Sequence, residues 1–189
     1  APLVRDAFKR AKGSVLFIDE AYSLTSKSEN DYGLEAVETI LKYMEDHRDD
    51  IIVIIAGYSD LMQDFIDSNP GLQSRFNKYI DFPDYTDDEL MAILAMNAKK
   101  QGYTIGEDAN AIVRGMLEGM TVGERMDFGN ARGMRNTLEK LVQAQANRLA
   151  NTTEEITKDM LCEITEADAK AALEEDETGK EDKLIEEQN

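Results

Sequence analysis

The chain has 189 residues, a length typical of one domain or of two small ones. It carries 39 acidic and 21 basic residues, and this net charge of −18 argues against a broad electrostatic grip on nucleic acid, whose phosphates would be repelled. Apolar residues make up 42% of the chain, enough for a packed core, yet no apolar run is long enough to predict a membrane-spanning helix.

Helices and all-apolar strands alternate in the first part of the sequence. Apolar residues at helical spacing predict helices over residues 3–12, 34–44 and 61–66. Consecutive apolar residues at Val15–Ile18 and at 51–56 predict strands buried on both faces, and residues 78–82 are a weaker third strand candidate. The polar segment 23–31 predicts an exposed loop. This alternation predicts α/β units on a parallel sheet.

A helical region follows the third strand candidate. Thr86 and Glu89 have the spacing of a capping box, in which each side chain satisfies a free amide at the start of a helix. Apolar spacing predicts further helices over 87–101, 108–119 and 131–150, and short helical pieces after Thr157 and Thr165. We therefore divide the chain into an α/β part over residues 1–84, an all-α part over 85–173 and an acidic tail over 174–189 that its composition predicts to be disordered.

Two carboxylates, Asp19 and Glu20, follow the first predicted strand. Ligands of open α/β sheets bind at the carboxyl ends of the strands, so this pair is a candidate site. One carboxylate could hold Mg²⁺ through its waters while the other orients or deprotonates an attacking water. The alternative is a pair of solvated acids. Tyr58 or Ser59, just after the second strand, could add a polar contact, although each is equally compatible with an ordinary turn.

The segment NPGLQSRF, residues 69–76, places Arg75 after a predicted Pro-Gly turn and just before the third strand candidate. A guanidinium there could bind a phosphate through two parallel hydrogen bonds. The alternative is a surface arginine that pairs with Asp81 or Asp84.

A second basic segment is FGNARGMRN, residues 128–136. If Asn130 caps the long helix, Arg132 and Arg135 lie in its first turns, and the positive helix end with two arginines forms an anion site. The alternative is that both arginines pair with some of the many acidic side chains.

The remaining reactive side chains are few. Cys162 is the only cysteine, which excludes an internal disulfide, and together with the single His47 it supplies too few ligands for a His/Cys zinc site. The same low cysteine content leads us to expect a cytoplasmic protein, and no basic and then apolar leader at the start of the sequence points to secretion. The first residue is Ala1 rather than Met, which predicts a processed protein or a fragment.

These segments, in this order, resemble the AAA+ ATPase module over about residues 3–150. VLFIDEAYSL resembles its Walker B motif, IIVIIAGYSDLM its sensor 1 strand, NPGLQSRF its arginine-finger segment and GNARGMRN its sensor 2. The combination is similar to the CbbX/SpoVK-type branch of that family.

The resemblance implies a role for each matching residue. Asp19 would coordinate the water shell of Mg²⁺–ATP, and Glu20 would be the catalytic base. Arg75 would act in trans on the nucleotide of the neighbouring subunit. The remaining nucleotide contacts would be Ser59 or Tyr58 at sensor 1, and Arg132, with Arg135 as a second candidate, at sensor 2.

One family motif is missing, because the 189 residues contain no GxxxxGK[ST] phosphate loop. The chain therefore resembles an AAA+ module cut just after its first pore loop: a partial three-layer α/β domain followed by the helical lid. In the family's sheet the first strand lies between the fourth and the fifth, so residues 78–82 would lose a neighbour and expose apolar surface. We expect the lid to fold more robustly than the residues before it.

The resemblance implies an ATP-driven motor, with ATP and Mg²⁺ as cofactors, that assembles into a ring, taken to be a hexamer, and pulls on a protein substrate. This chain alone would bind ATP poorly. One alternative is a catalytically silent adaptor or regulatory protein with the same fold, although such a protein need not keep both carboxylates. Another is a DNA-handling AAA+ protein, against which the acidic balance argues.

Overall fold

A computed structural model describes residues 2–25 and 32–174. They fall into two compact units, residues 1–82 and 83–189. Most of the predicted loop 23–31, and the tail beyond residue 174, lie outside the described residues. None of the helices within the described ranges is long and apolar enough to cross a bilayer.

The first unit contains short helices and two strands. Its elements in chain order are α1 (Pro2–Arg10), β1 (Val15–Ile18), a 3₁₀ turn (Ala21–Thr25), α2 (Tyr32–Asp46), β2 (Ile52–Ile55), α3 (Ser59–Asp67) and α4 (Pro70–Arg75). The predicted helices and the first two strands are thus present, and the two strands pair in parallel.

The two strands bury one face of their sheet and expose the other. Val15 lies beside Ile52, and Ile18 beside Ile55. The exposed face, among the described residues, carries four apolar side chains: Val15, Phe17, Ile52 and Ile54. The opposite face packs on a small core of Ala21, Val37, Leu41, Phe65, Ile66 and Leu72. The expectation of burial on both faces is therefore wrong for one face, since no described element covers it.

The third predicted strand is also wrong. Residues 76–86 have no regular secondary structure, and Tyr79, Ile80 and Phe82 are 68%, 80% and 86% exposed. A strand needs a neighbour to satisfy its backbone N–H and C=O groups, and no described strand pairs with this segment. The apolar pattern is that of a strand, but no partner in the described residues can stabilise it.

The second unit is almost entirely helical. Its elements are α5 (Asp87–Lys100), β3 (Thr104–Ile105), α6 (Glu107–Gly119), α7 (Val122–Phe128), α8 (Ala131–Ala150), α9 (Lys158–Cys162), β4 (Glu163–Ile164) and a last helix, α10, whose described part is 166–174. The predicted helices of this region are confirmed. Helix α7 and the two-residue strands β3 and β4, which pair in parallel, were not predicted.

Helices α5, α6 and α8 enclose the core of the second unit. Side chains that are at most 1% exposed come from each of them and from β4: Leu90, Leu94, Val113, Leu117, Leu138, Leu141 and Ile164. The predicted capping box at the start of α5 is confirmed, because the Thr86 hydroxyl accepts from the Glu89 amide at 3.3 Å and the Glu89 carboxylate accepts from the Thr86 amide at 2.9 Å.

An ion pair between a half-buried arginine and a buried carboxylate joins the end of α8 to α10. Arg148 donates to Asp168 from Nε at 2.7 Å and from Nη2 at 3.0 Å, while the amide and hydroxyl of Thr165 donate to the same carboxylate at 2.8 Å each. Burial alone would raise the pKa of the Asp168 carboxyl, but these hydrogen bonds outweigh it, so its pKa lies below the ordinary value. The pair therefore depends on a charged Asp168.

Candidate functional site

The acidic pair lies at the carboxyl edge of the two-stranded sheet. Backbone bonds continue past the strand ends, with the Ala56 amide donating to Ile18 at 2.9 Å and the Ala21 amide donating to Ala56 at 3.1 Å. These bonds bring the turn that holds Asp19 and Glu20, both exposed, beside the chain that leaves β2. The two sheet-end segments singled out from the sequence are therefore neighbours.

Glu20 has a backbone conformation that is rare for its residue type. Its φ is +49°, in the left-handed region, which costs a non-glycine residue about 1 kcal/mol. Asp19 supports this turn, because its carboxylate accepts from the Glu20 amide at 3.1 Å. Strained residues of this kind cluster at functional sites, where the surrounding structure holds a side chain in place.

Two tyrosines accompany the acidic turn. The ring centroids of Tyr22 and Tyr58 lie 6.5 Å apart. The pKa of the Tyr22 hydroxyl is raised, chiefly by burial. The negative charge of Glu20, the nearby Tyr58 and the charge of Asp19 raise it further, in that order. Gly57 permits the packing, since a Cβ there would lie 2.7 Å from the Tyr22 ring.

Tyr22 lies near both acids and was not predicted as a site residue, although it stands within the DEAYSL segment. Of the two sensor 1 candidates, Tyr58 thus lies beside Tyr22, while the hydroxyl of Ser59 donates to Asp81 at 3.4 Å.

Arg75 ends a helix rather than following a simple turn. Asn69 caps α4 by accepting from the Gly71 amide at 2.8 Å, and Pro70 occupies the first helical turn, where its missing N–H costs nothing. The predicted Pro-Gly turn is therefore wrong. An asparagine cap followed by proline is a helix-start signal that could have identified α4.

Glu45 of α2 is the ion-pair partner of Arg75, with 3.1 Å between Nη2 and Oε2. The predicted pairing with Asp81 or Asp84 is wrong. The other terminal nitrogen donates at 3.4 Å to the Gly71 carbonyl and to the Ser74 hydroxyl. Its Nε is buried and has no hydrogen-bond partner among the described residues. The guanidinium is thus held weakly and keeps an unused donor.

Arg132 and Arg135 lie exposed at the start of α8. Neither forms an ion pair with a residue that the structure describes, so the expected alternative, pairing with nearby acids, is wrong within those residues. The predicted cap is wrong as well, because the Asn130 side chain makes no capping bond. Both guanidinium groups are therefore exposed and without an ion-pair partner in the described part of the chain.

The fit of Mg²⁺ to these residues depends on Asp19. The described ranges contain no group of three or more His, Cys, Asp or Glu side chains placed to hold a metal by themselves. Mg²⁺ prefers hard oxygen ligands, keeps several of its waters and is often held by one or two carboxylates together with substrate phosphates. An exposed Asp19 at the end of a strand fits such a partial ligand set.

Comparison with known proteins identifies both units. Residues 1–84 match the model of the ATPase family associated with various cellular activities (AAA), and residues 86–179 match the model of the AAA lid domain. The two matches correspond to the two compact units of the structure.

Three relatives illustrate the similarity. Protein CbbX of Cereibacter sphaeroides is 45% identical over 79% of this chain and 48% of its own length. Stage V sporulation protein K of Bacillus subtilis (strain 168) is 42% identical over 85% and 50%. The chloroplastic ribulose bisphosphate carboxylase/oxygenase activase of Cyanidioschyzon merolae is 42% identical over 80% and 52%. The chain spans about half the length of these curated relatives. It belongs to the AAA family of ATPases, with a segment of the AAA domain followed by an AAA lid domain.

Proposed function

We propose that the whole protein carrying this chain is an ATP-driven motor that remodels a protein substrate and works as a ring, taken to be a hexamer. The observation that carries the proposal is the Asp19–Glu20 turn at the carboxyl edge of the parallel sheet, where ligands of open α/β sheets bind. A relative named as an activase of ribulose bisphosphate carboxylase/oxygenase supports the remodelling of a protein.

Asp19 and Glu20 divide the work at this edge. Bound Mg²⁺–ATP supplies the phosphoryl group and the metal that neutralises its charge. Asp19 holds the water shell of the metal ion, and Glu20 takes the proton from the attacking water. Tyr58, or else Ser59, contacts the same nucleotide from the end of β2. The exposure of both carboxylates leaves them open to water and ligand.

The arginines stabilise the charge on the phosphates. Arg132, with Arg135 as a second candidate, binds the nucleotide from the start of α8, where neither is occupied by a described partner. Arg75 acts in trans on the nucleotide of a neighbouring subunit, exchanging Glu45 for a phosphate. The bidentate contact would use the terminal nitrogens Nη1 and Nη2, since Nε is buried.

The test is Glu20→Gln in the whole protein. Loss of a general base lowers a rate by about a hundredfold or more, so ATP hydrolysis should fall by that much while ATP binding persists. Glu118→Gln, an exposed glutamate of α6, is the matched control and should leave hydrolysis unchanged. Hydrolysis at the wild-type rate in Glu20→Gln would contradict the assignment.

A further inference from the structure

The side chain of Asn130 connects two parts of the second unit that are 45 residues apart in sequence. Its Oδ1 accepts from the Tyr85 amide at 3.1 Å, and its Nδ2 donates to the Asp84 carboxylate at 2.7 Å. Asp84 and Tyr85 belong to the segment by which the chain enters this unit. One amide therefore holds that entry segment at two adjacent residues.

The backbone of Asn130 is strained where it makes this connection. Its φ is +55° and its ψ −127°, a conformation in which glycine is favoured over residues with a Cβ. The preceding Gly129 also has a positive φ, of +72°. The strain does not serve helix capping, since the Asn130 side chain makes no capping bond and the Arg132 amide donates to the Gly129 carbonyl at 3.1 Å instead. Among the described residues, the hydrogen bonds of the Asn130 side chain go to Asp84 and Tyr85.

The same residue begins α8. The carbonyl of Asn130 accepts from the Met134 amide at 3.2 Å, so its main chain is the first acceptor of the helix. The corner before α8 is tightly packed, because a Cβ on Gly133 would lie 2.4 Å from the Phe128 carbonyl oxygen. Because this corner is tightly packed, a displacement of the entry segment would move Asn130 and, with it, the start of α8.

We propose that Asn130 is a positioning residue that couples the entry segment of the lid to Arg132. Arg132 lies two residues further on, so its guanidinium moves with the corner that Asn130 holds. This inference rests on the proposed function, in which Arg132 contacts the nucleotide. Asn130 does not touch the nucleotide and acts only by holding the start of α8 against Asp84 and Tyr85.

Asn130→Gly removes the amide but suits the backbone conformation, so the lid should remain folded. Asn130→Asp keeps the acceptor for the Tyr85 amide but sets a carboxylate against Asp84. The double variant Asp84→Asn, Asn130→Asp exchanges donor and acceptor and restores both hydrogen bonds. These three variants separate loss of the connection from loss of the fold.

The first measurement is amide hydrogen exchange on the 189-residue chain. Loss of one hydrogen bond corresponds to about a tenfold change, so the Tyr85 amide should exchange about tenfold faster in Asn130→Gly and less than tenfold faster in Asn130→Asp, which keeps the acceptor. The exchanged pair should recover protection, and the amides of Leu138 and Leu141 in α8 should not change. Unchanged exchange at Tyr85 in Asn130→Gly would overturn the connection.

The second measurement is steady-state ATP hydrolysis by the whole protein. Misplacement of a catalytic contact costs about tenfold to a hundredfold in rate, so Asn130→Gly should lower kcat by that factor with little change in the KM for ATP, and the exchanged pair should restore kcat. A normal kcat in Asn130→Gly would overturn the positioning role while the proposed function stands. Absence of hydrolysis in the wild-type protein would overturn the proposed function and this role together, leaving only the connection seen by exchange.

Discussion

The two units differ in how completely they bury their apolar side chains. The described residues of the helical unit place fourteen buried side chains in one cluster drawn from α5, α6, α8, β4 and α10. The α/β unit assembles six in its sheet-packing cluster. Its strands are as apolar as any segment of the chain, yet Phe17 is 59% exposed and Ile52 64% exposed.

The difference follows from what each kind of element requires. An amphipathic helix has one stripe of apolar side chains, and a single neighbouring layer is enough to bury that stripe. An all-apolar strand needs both of its faces covered and both of its edges paired. The helical unit therefore supplies its own partners within residues 83–174, whereas β1 and β2 do not find all of theirs in the described part of the first unit. We expect the helical unit to be the more stable of the two.

The largest expected effect is that of Leu141→Ala in α8. Leu141 is fully buried, and truncation of such a side chain costs about 2 to 5 kcal/mol. Urea unfolding should show this loss in the helical unit, while the exchange rates of amides in β1 and β2 stay unchanged. Leu161→Ala is the matched control, since Leu161 in α9 is 53% exposed, and it should cost much less. Equal losses from both variants would contradict the core described above.

Asp168→Asn should have the next largest effect. Loss of one partner from a fully buried ion pair costs about 3 to 5 kcal/mol, and the partial exposure of Arg148, 28%, reduces the expected loss to about 2 to 3. Asp159→Asn, an exposed carboxylate of α9, is the control. Urea titrations at neutral pH test the difference between the two variants.

The same pair predicts a pH dependence. The pKa of Asp168 is lowered in the folded chain, so its stabilising contribution is fully present above the unfolded value of about 3.9 and is lost as the pH falls through the folded pKa. The stability difference between wild type and Asp168→Asn should therefore shrink below about pH 4. A difference that stays constant down to pH 2 would contradict a charged Asp168 in the folded state.

Thr86→Ala should cost about 1 kcal/mol, because it removes one half of the capping box of α5. Thr121 forms the same motif with Glu124 at the start of α7. α7 contains no buried side chain, so Thr121→Ala should change global unfolding less than Thr86→Ala does. Thermal unfolding of the two single variants checks this order.

The smallest expected effect on stability is that of Phe17→Thr on the exposed face of β1. A surface substitution changes stability by about 0.5 kcal/mol or less, but this one removes a large part of an apolar face and should reduce self-association of the chain. Leu16→Thr, on the packed face, should destabilise the first unit. Light scattering of the wild type and of each variant measures self-association, which Phe17→Thr should reduce.

Much of the helical unit could be predicted because its information is local. The helices α5, α6 and α8 carry an apolar stripe and start or stop signals that lie within a few residues of each other. The capping spacing of Thr121 and Glu124 would also have identified α7. The strand prediction for residues 78–82 was wrong for the opposite reason, because the formation of a strand depends on neighbouring strands more than on its own side chains.

The candidate site shows the same limit. Asp19 and Glu20 were predicted as a candidate site because ligand sites lie at strand ends, and in the structure both act on Tyr22, beside the chain that leaves β2. It could not indicate that Arg75 pairs with Glu45, thirty residues away, or that Asn130 turns from α8 to Asp84. Those contacts depend on how distant segments pack, and no local pattern records them.

The attachment of the end of α8 to later residues has a consequence for synthesis on the ribosome. The Gln145 amide donates to carbonyls of α9 and β4 at 3.0 to 3.2 Å, and Ile164, Ala169 and Ala172 complete the core. At roughly 5 to 20 residues per second, about 1 to 4 seconds separate the synthesis of Ala150 from that of Asp168. During that interval α8 packs only on α5 and α6, and its end around Gln145 lacks the cover that β4 and α10 later supply, so the core of the lid closes last at this end.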